Sequence, residues 1–242
     1  MKKIVITAGG TSEKIDNVRK ITNSSTGKLG MKIAEEFLRQ DEKVLIYYIC
    51  TKQALRPEDE RVKIIEVDGT TQLKNKIEKI LLNEKIDIFV NAMAVSDYMK
   101  NYVTTLEKLK NYLKIDEKTG KIAQKLEIIE DNKISSYEKD LVIVLKPTPK
   151  IISMIKTLSP ATFLVGFKLL DDVTDEKLLD AAKALRDKNG CDLVVANDLK
   201  KIKSGNHSAF IIDKNDNVKK CQGKDDIAKN LVKEITDKME EK

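Results

Sequence analysis

Short apolar runs alternate with helix-like segments along most of the chain. The β-rich runs cover residues 3–8, 43–49, 62–67, 86–95, 140–145, 162–167 and 191–198. Between the runs, apolar residues recur at three- and four-residue spacing, which predicts amphipathic helices. These helices cover 26–40, 70–83, a segment that begins near 149, and 175–188. Buried strands that alternate with helices predict an α/β, Rossmann-like, doubly wound fold, with a mostly parallel sheet and helices on both of its faces.

Two parts of the chain depart from this alternation. Residues 99–132 are rich in Lys, Glu and Asn, and the segment from Asp116 to Gly120 has the composition of a hairpin turn. We therefore predict an inserted β-hairpin arm over 99–132, within a single domain that covers 1–242. Near the carboxyl end, residues 208–221 form a second predicted hairpin, and a closing helix follows it.

The charge balance argues against a nucleic-acid partner. Lys and Arg together number 45 against 39 Asp and Glu, which gives a net charge of +6. Only five of the 45 are arginines, and the lysines are interleaved with acidic residues along most of the chain. Nucleic-acid surfaces rely on arginine forks and on cations grouped with aromatic residues, and aromatic residues make up only 5% here. A solvated surface is favoured, and a basic nucleic-acid-binding module is the less favoured alternative.

Composition also limits the compartment and the kind of site. No apolar run approaches the ~20 residues that a membrane-spanning helix needs, and the amino terminus lacks the pattern of a signal peptide. Cys50, Cys191 and Cys221 have neither disulfide nor metal-ligand spacing, and His207 is the single histidine. We therefore expect a reducing, cytoplasmic compartment, no membrane association and no metal site built from protein side chains.

Polar loops follow the predicted strands at positions where ligands bind in this class of sheet, which are the carboxyl ends. Gly9 and Gly10 follow the first strand, and glycines let backbone N–H groups approach an anionic ligand. The next loop, residues 21–30, leads into a helix start, which is a favourable anion site. Its hydroxyl residues can cap that helix, namely Ser24, Ser25 and Thr26. The loop 91–98 after the fourth strand adds Asp97 as a lone acidic residue.

The first of these loops departs from the common dinucleotide pattern. Dinucleotide folds carry G-x-G-x-x-G here and an acidic residue about 20 positions further on. In this chain Gly9 and Gly10 are adjacent, and the second strand ends in the uncharged residues 48–51. The Walker pattern is absent as well. A nicotinamide-dependent oxidoreductase of doubly wound fold is therefore the enzymatic runner-up.

Six segments, taken in order, carry a more specific signal. They are TAGGTSEKIDNVRKITNSSTGKLG (7–30), NAMAVSDY (91–98), KISS (133–136), LKPTPKII (145–152), VGFKLL (165–170) and DLVVANDL (192–199). Together they resemble the phosphopantothenate–cysteine ligase family of coenzyme A biosynthesis. Because no flavin-binding half precedes them in this sequence, the resemblance is to the monofunctional bacterial form.

The resemblance implies a two-step ligation. The carboxylate of 4′-phosphopantothenate attacks the α-phosphate of a nucleoside triphosphate, releases pyrophosphate and forms an acyl-nucleotidylate. The amine of L-cysteine then displaces the nucleotide and gives 4′-phospho-N-pantothenoyl-L-cysteine. Bacterial members of the family mostly use CTP and eukaryotic members ATP, so the resemblance to the bacterial form favours CTP, with acyl-CMP as the intermediate and CMP as the released nucleotide. Mg²⁺ is expected on the nucleotide phosphates, and the inserted arm is expected to form a homodimer.

The resemblance also implies site residues, each by its position in the matching segments. Two are catalytic, since Asn23 would act on the acyl-nucleotidylate and Lys133 would hold the triphosphate. The implied nucleotide-binding residues are Gly9, Gly10, Thr11, Met93, Ala94, Asp97, Lys133, Pro149, Lys150, Ile151, Ile152, Phe167, Lys183 and Lys188. The implied substrate-binding residues are Arg19, Asn23, Ser24, Ser25, Gly27 and Ala92.

Two of these assignments have alternatives. Lys108 resembles the same lysine motif as Lys133 and lies nearer to Asp97 along the chain. We assign Lys133 because the run that follows it matches the family almost without gaps. Arg19 would either bind the substrate phosphate or form a salt bridge with Asp16, and the sequence leaves both open.

Overall fold

The structure is a computed structural model that describes residues 1–114, 122, 125–205 and 207–241. The strands are β1 (Lys2–Ala8), β2 (Ser12–Lys14), β3 (Lys20–Thr22), β4 (Val44–Cys50), β5 (Val62–Glu66), β6 (Ile88–Asn91), β7 (Tyr98–Thr105), β8 (Leu141–Pro147), β9 (Phe163–Leu170), β10 (Leu193–Asp198), β11 (Ser208–Asp213) and β12 (Val218–Gln222). The helices are α1 (Lys28–Gln40), α2 (Thr70–Asn83), α3 (Leu106–Tyr112), α4 (Ile151–Leu158), α5 (Asp175–Asn189), α6 (Leu199–Lys203) and α7 (Lys224–Glu240). The predicted turn at Asp116 to Gly120 lies outside the described residues.

An eight-stranded sheet forms the centre of the molecule, in the order β12-β11-β10-β9-β6-β1-β4-β5. The six strands from β10 to β5 are parallel. β11 and β12 extend the sheet as an antiparallel hairpin. The predicted α/β, doubly wound fold with a mostly parallel sheet is confirmed.

Each face of the sheet has its own apolar core. Within β1, Ile4 and Ile6 belong to the cluster that α1 and α7 cover, whereas Val5 belongs to the cluster that α2, α4 and α5 cover. Because helices cover both faces, successive residues of a central strand are buried on both sides of the sheet. The strands therefore appear in the sequence as uninterrupted apolar runs rather than as alternating ones.

One predicted strand of the central sheet belongs elsewhere. Residues 140–145 lie mostly in β8, which pairs with β7 in a separate, antiparallel two-stranded sheet. The prediction that 140–145 continues the central alternation was wrong, because a short apolar run does not distinguish a buried strand from a half-exposed one. The segment outside the central sheet thus runs from 98 to 147 rather than from 99 to 132, and we keep the name arm for residues 98–147.

The polar region after β1 is more ordered than its sequence indicates. Residues 12–14 and 20–22 pair as the β2–β3 hairpin, which the sequence analysis missed. Helix α1 begins at Lys28, and its N-cap is Gly27 in the left-handed region (φ of 72°), without a side-chain cap. None of the predicted capping residues Ser24, Ser25 and Thr26 is the N-cap, although the Thr26 hydroxyl accepts from the Lys28 amide at 3.4 Å. Similarly, β6 covers only the middle of the run 86–95.

Candidate functional site

The carboxyl ends of β1, β6 and β9 lie at one edge of the sheet, which we call the carboxyl edge; the opposite edge is the amino edge. Gly9 ends β1 there with a positive φ of 87°. A Cβ on Gly10 would lie 1.9 Å from the carbonyl oxygen of Asn23. Only glycine therefore allows the loop that carries Asn23 to pack on the end of β1. This close packing explains why the two glycines are adjacent.

Hydrogen bonds join the loop after β1 to the loop after β6. The amide of Ala94 donates to the carbonyl of Gly9 (2.9 Å), and the amide of Thr11 donates to the carbonyl of Ala94 (3.1 Å). The buried hydroxyl of Thr11 accepts from the Ser96 amide (2.8 Å) and contacts the Ser96 hydroxyl (2.9 Å). Thr11, which the resemblance assigns to the nucleotide, therefore uses its side chain to hold the two loops together.

A third segment joins these loops where the arm returns to the sheet. The Thr148 hydroxyl donates to the carbonyl of Ser96, and the Thr148 amide donates to the carbonyl of Asp97 (3.0 Å). The exposed side chains of Asp97 and Lys150 form an ion pair. The structure thus brings together Asp97 and the turn at 149–152, as the motif comparison predicts.

The two isoleucines of that turn face inward. Ile151 is buried in the core, and Ile152 packs against it, with its Cδ1 atom 3.2 Å from the position of a Cβ on Gly166. Met93 is also buried in this core. Its amide donates to the Thr7 hydroxyl at 3.2 Å. The side chains of these three predicted nucleotide-binding residues therefore serve packing, and their backbones border the loops.

Asn23 lies where the β2–β3 hairpin meets the sheet. Its amide donates to the carbonyl of Thr11 (3.1 Å), which fixes its backbone. Its half-buried side chain makes no hydrogen bond to any other described residue. Of the neighbouring predicted substrate-binding residues, Ser24 and Ser25 are exposed and Gly27 is buried. A carboxamide that is held in place but lacks a partner can donate to a carbonyl oxygen and accept from an amine.

Lys133 and Arg19 lie at the other end of the same hairpin. Arg19 forms a salt bridge with the buried carboxylate of Asp16 (2.6 Å), which is the second of its two sequence interpretations. The amide of Ile134, next to Lys133, donates to Asp16 at 3.1 Å. The three paired positions of β2 and β3 separate this tip from Asn23. At 3.3 Å per residue, the distance along the hairpin is roughly 10 Å.

The two candidate lysines differ in their surroundings. Lys108 lies on α3 in the arm and forms an ion pair with Glu127 (3.6 Å). Lys133 is exposed, and its ammonium group has no acidic partner within the described part of the chain. The assignment of the triphosphate contact to Lys133 rather than to Lys108 therefore stays a prediction.

Three further predicted nucleotide-binding residues lie on β9 and α5. Phe167 is on β9, half-buried, and packs against the core on the α1 and α7 face. Lys183 and Lys188 lie on α5, which runs back from the carboxyl edge to the amino edge. Lys183 forms an ion pair at 3.0 Å with Asp216 in the turn between β11 and β12. The structure therefore places both lysines on a helix that leads away from the loops at the carboxyl edge, and their assignment to the nucleotide stays a prediction.

Sequence reasoning missed one further residue that shapes the site. Glu13 on β2 is buried, and it accepts hydrogen bonds from the amide (2.8 Å) and the hydroxyl (2.7 Å) of Thr70 at the start of α2. This carboxylate caps α2 from outside the helix and fixes the β2–β3 hairpin to the sheet. The signal for it was the missing cap residue before α2, since Gly69 offers no side-chain oxygen.

Among the described residues, no group of three or more His, Cys, Asp or Glu side chains is arranged to hold a metal ion. None of their helices is both long and apolar enough to cross a membrane.

Comparisons with known proteins identify the family. Residues 1–126 and 123–239 match the family described as DNA/pantothenate metabolism flavoprotein, C-terminal domain. The coenzyme A biosynthesis bifunctional protein CoaBC of Thermococcus kodakarensis is 36% identical over 211 residues, which are 87% of this chain and 45% of that protein. The chain spans about half the length of the curated CoaBC relatives that it matches.

Solved structures show the same fold. The DNA/pantothenate metabolism flavoprotein from Streptococcus pneumoniae is 39% identical, with a TM-score of 0.82 and 98% of both chains covered. A Cab2 mutant in complex with phosphopantothenate-cysteine is 19% identical, with a TM-score of 0.72 over 99% of this chain and 87% of the other. Since the family description matches nearly the whole length, the chain belongs to the family of DNA/pantothenate metabolism flavoprotein C-terminal domains.

Proposed function

We propose that the protein is a phosphopantothenate–cysteine ligase of coenzyme A biosynthesis. In the first step, a carboxylate oxygen of 4′-phosphopantothenate bonds to the α-phosphorus of CTP, and pyrophosphate leaves with the electrons of the broken P–O bond. In the second step, the cysteine nitrogen bonds to the acyl carbon, loses a proton and expels CMP. The products are 4′-phospho-N-pantothenoyl-L-cysteine, CMP and pyrophosphate.

The observation that carries this proposal is the unpartnered carboxamide of Asn23. Gly10 and Thr11 hold its backbone against the carboxyl edge, where the loops after β1 and β6 and the return of the arm converge. Such a group polarises the carbonyl of an acyl-nucleotidylate by hydrogen bonding and positions it for the amine. It needs no reorganisation during the reaction, because its backbone is already fixed.

The proposed chemistry does not use a protein nucleophile, and the cysteines fit this. Cys50, Cys191 and Cys221 are all buried. Burial raises the pKa of Cys191 to about 12 and the pKa of Cys221 to about 11, and it also raises the pKa of Cys50. Because the thiolate is the nucleophilic form, none of these thiols is suited to covalent catalysis at neutral pH.

The charges of the nucleotide call for cations at the carboxyl edge. Lys133 is the proposed partner of the triphosphate. Lys150 becomes a second partner when Asp97 leaves its ion pair with Lys150 and binds the nucleotide. Since the described residues contain no cluster of metal-binding side chains, Mg²⁺ would be held through the phosphate oxygens and would neutralise their charge.

The arm is the proposed dimer contact. Its two strands carry exposed large apolar side chains, namely Tyr98, Leu141 and Leu145. Apolar residues that are clustered on one exposed ribbon favour association with another protein surface. The resemblance to the ligase family makes a second copy of this chain the proposed partner.

The test is a pyrophosphate-release assay with CTP or ATP, 4′-phosphopantothenate and Mg²⁺, run with and without L-cysteine. We expect amide formation with CTP that requires all components. The Asn23→Ala variant should form the amide about 100-fold more slowly, and it should accumulate the acyl-nucleotidylate.

Asn83→Ala is the matched control, because the side chain of this exposed asparagine donates to the carbonyl of Lys79 within α2. It should react like the unmodified protein. Binding of NADH without turnover of either nucleoside triphosphate would reject the ligase in favour of an oxidoreductase. Unchanged amide formation by Asn23→Ala would reject the role of Asn23.

A further inference from the structure

We propose that Thr148 is a positioning residue for the nucleotide site. It lies between the end of β8 and the turn at 149–152, where the arm returns to the sheet. From there it binds the loop of Asp97, which follows β6, across 52 positions of sequence. The functional part of this inference rests on the proposed binding of a nucleotide by Asp97 and the turn. The structural part rests on the hydrogen bonds alone.

Thr148 donates two hydrogen bonds to consecutive carbonyls of the same loop. Its hydroxyl donates to the carbonyl of Ser96, and its amide donates to the carbonyl of Asp97 at 3.0 Å. Because Thr148 is buried, water competes little for these bonds, and each is stronger than it would be in solvent. Two bonds from one residue fix the direction of the Asp97 backbone as well as its position.

The loop of Asp97 is held on its other side by the loop after β1. The Ser96 amide donates to the Thr11 hydroxyl at 2.8 Å, and the hydroxyls of Ser96 and Thr11 are 2.9 Å apart. Thr11, Ser96 and Thr148 are all buried. Three hydroxyl residues from separate segments therefore form one connected network, and Thr148 is its link to the turn.

Thr148 also sets the start of the turn. Pro149 follows it, and the proline ring fixes its own φ near −65° and confines the preceding residue to extended backbone. Ile151, at the first position of α4, is buried in the core. The backbone is therefore held at both ends of the turn, and the exposed side chain of Lys150 lies between them, paired with Asp97.

Fixed backbones beside an exposed ion pair suit the exchange of that pair for a ligand. An exposed ion pair contributes little to stability, so a ligand that replaces the contact between Asp97 and Lys150 gives up little free energy. Because the loops are already ordered, binding does not have to order them, and the affinity is higher for that reason. We therefore expect Thr148 to act on nucleotide affinity rather than on the chemical step.

Hydrogen exchange tests the structural part without reference to activity. Thr148→Val keeps the shape of the side chain and removes the donor to Ser96, whereas Thr148→Ser retains the donor. In Thr148→Val, amide exchange of residues 94–98 should accelerate about tenfold, because loss of a buried hydrogen bond lowers the free energy of local opening. Thr148→Ser should exchange within about twofold of the unmodified protein.

Calorimetric titration with CTP and Mg²⁺ tests the functional part. We expect the Kd for CTP to rise about tenfold in Thr148→Val and to stay within about twofold of the unmodified protein in Thr148→Ser. The kcat for amide formation should change by less than about threefold. Thr148→Val combined with Asp97→Asn should raise the Kd by less than the product of the two single effects, since both act on one contact.

Thr162→Val is the matched control at the amino edge. Thr162 is also buried, and its hydroxyl donates to the carbonyl of Ile86 at 2.8 Å, so it joins the segments that precede β9 and β6. This variant should lower the melting temperature about as much as Thr148→Val does. Its Kd for CTP and the exchange of residues 94–98 should stay within about twofold of the unmodified protein.

The outcomes separate the role of Thr148 from the proposed function. Unchanged exchange of residues 94–98 in Thr148→Val would overturn the structural part, and Thr148→Cys, whose thiol is a weaker donor, replaces that variant if it does not fold. Faster exchange with an unchanged Kd, or an equal rise in Kd for Thr162→Val, would overturn the role in nucleotide binding. Failure of the unmodified protein to bind or turn over CTP or ATP would reject the proposed function, and the exchange comparison would still decide whether Thr148 holds the loop.

Discussion

The two edges of the central sheet are both rich in polar groups, but they use them differently. At the amino edge, the buried carboxylate of Asp192 binds Lys156 and Lys214, each at 2.8 Å. Asp213 there binds Lys238 at 2.7 Å. At the carboxyl edge, backbone amides and buried hydroxyls join the loops, and the side chain of Asn23 has no partner among the described residues.

This difference distinguishes charged side chains that stabilise the fold from polar side chains that can bind a ligand. Buried ion pairs hold a fixed arrangement, and their groups are not available to a ligand. Where backbone groups and hydroxyls hold the chain, side chains remain free to bind. Asp192 and Asn23 illustrate the contrast, since the carboxylate of the first is held by two lysines and the carboxamide of the second has no partner among the described residues.

The largest effect on activity should come from Gly10→Ala. The added methyl group would lie 1.9 Å from the carbonyl oxygen of Asn23, so the loop must move. We expect amide formation to fall by about 100-fold, since displacement of a catalytic group by about 1 Å costs that much. The measurement is cysteine-dependent amide formation by chromatography.

The control for Gly10→Ala lies at the other edge. Gly190 ends α5 in the left-handed region, and its nearest neighbour to an added Cβ is the Cγ of Lys156 at 3.7 Å. Gly190→Ala should destabilise the fold by about 1 kcal/mol without slowing the folded enzyme. Equal turnover of the two alanine variants would contradict the proposed difference between the edges.

Asp192→Asn should affect stability and leave the chemistry unchanged. It removes the charge that Lys156 and Lys214 share, so we expect the free energy of unfolding to fall by about 3 kcal/mol. For a chain of this size the melting temperature should fall by roughly 6–12 °C. The exposed pair of Asp172 with Lys200 (2.8 Å) supplies the control, since Asp172→Asn should cost less than about 1 kcal/mol.

The same variant should change how stability depends on pH. Burial raises the pKa of Asp192, but hydrogen bonds from Lys156, Lys214 and the Leu164 amide outweigh it and lower the pKa to about 2. The unfolded chain has a pKa of about 3.9, so this stabilisation is complete above that pH and is lost as the pH falls toward 2. Urea denaturation from pH 6 to 2 should give a shallower loss for Asp192→Asn. An identical slope would contradict this role of Asp192.

Lys183→Ala should have the smallest effect. Its side chain pairs with Asp216 at the surface, so stability should change by less than about 1 kcal/mol. The KM for CTP should stay within about twofold of the unmodified protein, whereas Lys133→Ala should raise it. A large rise in the KM for CTP in Lys183→Ala would support the motif-based assignment of this lysine to the nucleotide site.

The sequence was sufficient for most of the sheet and for one part of the site. Uninterrupted apolar runs located the central strands, and glycines at strand ends located the loop that carries Asn23. Periodicity did not separate β8 from the core strands, because a half-exposed ribbon and a buried strand share the same apolar residues. The β2–β3 hairpin was missed because its three-residue strands are polar and are fixed by distant groups such as Thr70.

Side-chain partners at the site depend on tertiary contacts, which the sequence does not contain. The motif assigns Thr11 to the nucleotide, but the Thr11 hydroxyl accepts a hydrogen bond from the Ser96 amide. The interpretation of Arg19 was open until Asp16 was seen to be buried beside it. The place of Lys188 near the amino edge likewise follows from the strand order, which the motif does not contain.

The arm leaves the sheet and re-enters it at touching residues, since the amide of Thr148 donates to the carbonyl of Asp97. The entropy lost on closing a loop grows only with the logarithm of its length. Evolution can therefore lengthen or shorten the intervening polypeptide at little thermodynamic expense, while the junction itself stays constant. We therefore expect relatives to differ most in the length of the arm and least in the residues where its two ends meet.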